Sequence, residues 1–117
     1  MREAVIVTLV CASAAGCAAR APAFSERFSA SQASIRAAEE VGAEAIPRAD
    51  AHLRLAREQV QRARRLSAEG AGERAQRMLM RAQADAELAL AYAREARAEA
   101  LAHEALAEVE AIQHRLR

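Results

Sequence analysis

From Glu73 to Leu116 the chain carries neither proline nor glycine, and its apolar residues recur in alternating steps of four and three. That spacing places them on one face of a helix, and its average of 3.5 residues is the coiled-coil signature. Two such seams run along the stretch. The first is Ala75, Leu79, Ala82, Ala86, Ala89, Ala93, Ala96, Ala100, His103 and Ala107. The second is Ala84, Leu88, Ala91, Glu95, Ala98, Ala102, Ala105, Val109, Ile112 and Leu116. At about 1.5 Å per residue the helix spans roughly 65 Å. It is too long and narrow to bury itself, so something must lie along it.

Composition narrows what that can be. Close to a third of the 117 residues are alanine, Tyr92 is the only tyrosine, and there is no tryptophan. Alanine is the best helix former but buries little area, which calls for a shallow, closely packed helical core. A deep pocket lined by large apolar and aromatic groups is not expected. Every basic residue is arginine, and arginine and Asp plus Glu nearly balance at a net charge of +1. Bulk charge therefore points to no nucleic-acid partner.

The N-terminus reads as an address. After Met1-Arg2-Glu3 comes an apolar run from Ala4 to Ala15, then Gly16-Cys17. A short charged start, an apolar core and small residues before a cut site describe a secretory signal. Ala14-Ala15-Gly16-Cys17 resembles the bacterial lipobox, although Ala14 stands where leucine is usual and Glu3 offsets Arg2. The resemblance implies a signal over 1–16, cleavage before a lipidated Cys17, and a tether over 17–23. A plain signal peptide and an uncleaved anchor are the alternatives, but the run is short of the roughly 20 apolar residues a spanning helix needs. With Cys11 removed, Cys17 is the only cysteine of the mature chain, which leaves no internal disulfide and no cysteine zinc site. Ala18 after the cysteine, where aspartate would retain an inner-membrane lipoprotein, implies outer-membrane sorting. The resemblance implies three acyl chains, which would give stable anchoring, since two already suffice.

Residues 24–117 read as one helical domain. Its first seam is Phe24, Phe28, Ser31, Ile35, Ala38, Gly42 and Ala45, a helix over about 25–45 capped by Ser25 or by Ser29 with Gln32. The two phenylalanines are its largest anchors, for the far half of the long helix or for a partner or lipid surface near the anchor. Gly42 and Pro47 interrupt the pattern, so a kink or short break falls at 43–47, with Pro47 opening a new helix.

The helix over about 47–69 carries the seam Ile46, Ala49, Leu53, Ala56, Val60, Ala63 and Ser67. Gly70 and Gly72 supply a turn, and the long helix follows over about 73–116. Antiparallel pairing about Ala71 sets Leu53 against Ala89, Val60 against Ala82 and Arg57 against Asp85. The last is a cross-hairpin ion pair that would fix register. The same pairing sets Ile35 near Ala107 and Val41 near Leu101, so the N-terminal helix would cover the C-terminal half. The expected fold is all-α, an elongated, alanine-rich antiparallel helical hairpin with an additional helix before Pro47.

Little chemistry is visible. His103-Glu104 lacks the second histidine of His-Glu-x-x-His, and Glu99 and Glu110, each four residues before a histidine, make ordinary surface pairs. His103 falls where the first seam turns outward, a solvated edge. No phosphate loop, nucleophile elbow or paired-carboxylate pocket is present, so neither an enzyme, a cofactor nor a metal site is expected. Residues 48–77 hold eight arginines against four acidic residues. This is a solvated face whose stems cover alanine, or an anion-binding surface through Arg54, Arg62, Arg64 and Arg65 for lipid head groups or cell-wall polymer.

Taken together, Cys17, Pro47 with Leu53 and Ala56-Arg57, Gly70 and Gly72, and Asp85-Ala86-Glu87-Leu88-Ala89 resemble the small bacterial lipoproteins with the domain of unknown function 4398. The resemblance covers about 25–110 and implies a periplasm-facing, outer-membrane-tethered helical domain, with no activity or ligand attached. The expectation is a non-enzymatic outer-membrane lipoprotein that presents a helical hairpin as a structural or protein-interaction element of the envelope, with an envelope protein partner or self-association. The alternatives are an anion-binding module contacting cell-wall polymer or lipopolysaccharide, and an uncleaved inner-membrane anchor bearing a cytoplasmic coiled coil. The C-terminal Leu116-Arg117 lacks the lysine that would point to covalent attachment to peptidoglycan.

Overall fold

A computed structural model describes residues 23–117, in which three α-helices follow one another: α1 (Phe24–Glu40), α2 (Pro47–Ala68) and α3 (Gly72–Arg115). The signal, Cys17 and most of the tether lie outside the described residues. A single 3₁₀ turn, Ala43–Ala45, stands between α1 and α2. No strand occurs among the described residues, and none of their helices is long and apolar enough to cross a membrane.

Helix α1 begins one residue before the serine expected to cap it. The Ala23 amide donates to Glu26 Oε2 at 3.2 Å, so an acidic side chain in the first turn supplies the acceptor, and neither Ser25 nor Ser29 does. The helix also stops at Glu40, well before residue 45. Gly42 takes a left-handed conformation, φ +86°, and its amide donates to the Glu39 carbonyl at 2.9 Å. The 3₁₀ turn and extended Ile46 (φ −106°, ψ 110°) follow, and Pro47 occupies the first turn of α2, where its missing amide costs nothing.

This short passage reverses the chain instead of bending it. Arg57 of α2 bonds Glu39 near the end of α1, while Arg64, a turn and more further on, lies over Phe28 near its start. α1 therefore runs antiparallel to α2 and alongside the first half of α3. The Ser31 hydroxyl, wholly buried, makes the crossing explicit: its one proton is shared between the carbonyls of Arg27 (2.9 Å) and Leu79 (3.0 Å). Ile35 and Val41 do not reach Ala107 and Leu101, because a kink would have carried α1 along α3 whereas the reversal folds it back.

The hairpin itself forms as spaced. Gly70 is left-handed at φ +76°, the Ala71 amide reaches back to the Leu66 carbonyl at 2.8 Å, and α3 starts at Gly72. Ala49, Leu53, Ala56, Val60 and Ala63 of α2 face Ala75, Leu79, Ala82, Ala86, Ala89 and Ala93 of α3, and Ile35, Ala38 and Ala43 close the third side. Phe24 and Phe28 pack half-buried on this core, stacked at 6.0 Å, at the glycine-turn end and not against the far half of α3. The core is nearly all alanine, so it stabilises through close approach of backbones more than through area. Beyond Ala96 every residue of α3 is exposed, His103 included.

Candidate functional site

Two surfaces stand out. The first is a shallow depression of about 500 Å³ between α2 and α3, near the glycine turn. Residues spaced three and four apart present Leu55, Glu58, Arg62 and Arg65 from α2 and Met78 and Arg81 from α3 to it, so one carboxylate lies among the arginines. It runs on into a smaller one of about 150 Å³, where Arg62 meets Arg74, Arg77 and Arg81. Five guanidinium groups thus line one strip. Arg77 has Glu73 at 3.6 Å, while Arg62, Arg65, Arg74 and Arg81 have no carboxylate within ion-pair distance among the described residues. Planar guanidinium groups suit bidentate contact with phosphate or carboxylate.

The sequence-predicted anion-binding set divides. Arg62 and Arg65 line the strip, but Arg64 stacks on the opposite flank, 4.6 Å above the Phe28 ring, and Arg54 pairs with Asp50 at 3.2 Å. Arg74 and Arg77 fall within the arginine-rich stretch 48–77 but were not named with that set, and Arg81 lies beyond it on α3. Applying the hairpin register to arginine as well as to the apolar seam would have found them.

Arg57 and Asp85 do not pair. Arg57 turns toward α1 and the 3₁₀ turn, where it bonds Glu39 and Glu44 and is held even more firmly protonated, chiefly by Glu44 and then Glu39. Asp85 instead takes His52 Nδ1 at 2.8 Å on one oxygen and the Gln59 amide at 2.8 Å on the other. The axial register is sound, since Asp85 sits between residues 52 and 59 at the level expected for 57. Rotation about the helix decides the partner: residues seven apart share a flank, and Arg57 lies on the other one. His52 also tilts against Tyr92 at 5.6 Å, and Arg48 lies 3.9 Å over that ring. This cluster ties α2 to α3 at the end of the core.

The second surface is the bare half of α3. Leu101, Leu106, Val109, Ile112 and Leu116 are all exposed, as is Leu88 on the bundle half. Of the second seam, Ala84, Leu88 and Ala91 point away from α1 and α2, and the rest lies beyond them. A monomeric protein rarely leaves so long an apolar stripe uncovered. Among the described residues no group of three His, Cys, Asp or Glu side chains converges as a metal site would require. No family model, curated protein or solved structure matches this chain.

Proposed function

We propose that the chain is a lipid-anchored envelope protein whose helical hairpin serves as a structural and protein-interaction element, facing the periplasm from the outer membrane. The observation that carries the interaction reading is the half of α3 beyond Ala96, about 30 Å of helix with an apolar stripe and no partner among the described residues. The lipobox-like Ala14-Ala15-Gly16-Cys17 and the resemblance to small lipoproteins with the domain of unknown function 4398 support the anchor and its place. Radioactive palmitate supplied to cells should label the chain, and Cys17→Ser should abolish the label. A Cys17→Ser chain that still labels overturns the anchored reading and favours an uncleaved segment.

A second reading has its own observation. The strip of Arg62, Arg65, Arg74, Arg77 and Arg81 fits an anionic polymer, such as the phosphate groups of lipopolysaccharide or the carboxylates of cell-wall polymer. Reversing Arg62, Arg65 and Arg81 to glutamate should then remove salt-sensitive retention on envelope fragments. Unchanged retention at low salt rejects it.

A further inference from the structure

We infer that the partner of the bare α3 face is a second copy of this chain, lying antiparallel across it with the two-fold axis beside Ala100 and Leu101. The inference rests on the interaction reading above and names the partner.

The exposed seam from Ala84 to Leu116 is palindromic in its spacing. Turned end for end about residue 100, every seam residue meets another seam residue, with the alternating pairing of an antiparallel coiled coil. Ala84 then faces Leu116 of the second copy and Ala91 faces Val109, small against large, while Leu88 faces Ile112. Ala98 and Ala102 meet at the centre, where the helices approach most closely. Leu101 meets its own copy on one flank, and Leu106 meets Tyr92 on the other. The exposed large apolar residues from Leu88 onward are thereby all covered. The seam ends where Arg81 and Arg77 continue it on the bundle side.

Charge fixes the register. On the flank that carries Leu101, this alignment sets Glu87 against Arg115 and Arg94 against Glu108, each pair occurring twice by symmetry. None of these four is committed to an ion pair among the described residues; Glu87 accepts only from Gln83, and Arg115 reaches its own helix carbonyl at Ala111. Sliding one heptad in one direction sets Arg94 against Arg115; sliding the other way sets Glu87 against Glu108. Both place like charges where this register places opposite ones. A parallel dimer stacks Glu95 on Glu95 inside the seam, whereas here Glu95 faces Ala105. The one like-charge contact is Glu99 with its copy, on the flank nearest the axis.

The test uses the full chain in detergent solution, with Ala91→Cys and Val109→Cys prepared separately and mixed before mild oxidation. The mixture should give more disulfide-linked dimer than the unaltered chain, whose Cys11 and Cys17 set the background, while each variant alone should stay at that background. Self-linking of Ala91→Cys above it indicates a parallel arrangement and overturns the inference, and so does a mixture that links no more than the background. In the same solution Arg94→Glu should raise the dimer dissociation constant about tenfold by turning two attractions into repulsions. Adding Glu108→Arg should bring it back, a recovery that a misfolded variant would not give. A chain that labels with palmitate yet remains monomeric overturns the pairing and leaves the anchored reading standing. One that pairs without labelling does the reverse.

Discussion

The two halves of α3 are nearly alike in sequence and opposite in circumstance. Residues 72–93 and 94–115 are both alanine-rich, both free of internal glycine and proline, and both carry a seam of fours and threes. Yet the first half buries Ala75, Leu79, Ala82, Ala86, Ala89 and Ala93 between two other helices, while the second half buries nothing. Apolar spacing determines which face of a helix wants cover. What covers it depends on the direction of the neighbouring chain, and here that direction is set at Gly42.

The largest effect that sharpens this contrast lies in the core. Leu79→Ala removes a fully buried side chain from a core with few others of its size and should cost about 2–5 kcal/mol in urea unfolding. Leu106→Ala, in the bare half, should change the unfolding of the bundle by less than about 0.5 kcal/mol at protein concentrations too low for pairing. Equal losses would mean that the two halves form one cooperative core.

Next comes the reversal. At Gly42 a Cβ would meet no atom within 4 Å, so Gly42→Ala isolates the cost of a left-handed residue, about 1–2 kcal/mol. A neutral or stabilising result would mean that α1 does not turn back there. Ser31→Ala should cost about 0.5–1.5 kcal/mol by removing the hydroxyl that bridges α1 to the Leu79 carbonyl. Smallest, Asp85→Asn should cost under about 1 kcal/mol, since His52 and Gln59 hold a group still partly open to water.

Much of this fold was legible. The glycine turn, the proline start of α2 and the hairpin register follow from spacing and from the conformational preferences of Gly70 and Pro47. The position of α1 was not, because Gly42 read as a kink looks the same in sequence as Gly42 read as a reversal. What separates them is a single positive φ and the burial of Ala43 behind it. The expected Arg57–Asp85 ion pair failed for a related reason. Counting residues from a turn gives the level at which two side chains meet but not the rotation of each helix, so Arg57 found Glu39 and Glu44 while Asp85 found His52. Arg62 and Arg65 of the arginine strip were visible because they crowd in sequence; Arg74 and Arg77 were counted in the same stretch, but only the fold shows that they and Arg81 meet Arg62.

Amide hydrogen exchange along α3, measured at high and low protein concentration, tests the central claim most directly. Amides of residues 76–93 should be strongly protected at both concentrations, held by the core. Those of 97–115 should be protected only at high concentration, because an alanine-rich helix of that length is marginal alone and needs its second copy. Equal protection of both halves at every concentration would contradict the account. So would a second half that exchanges freely even when concentrated.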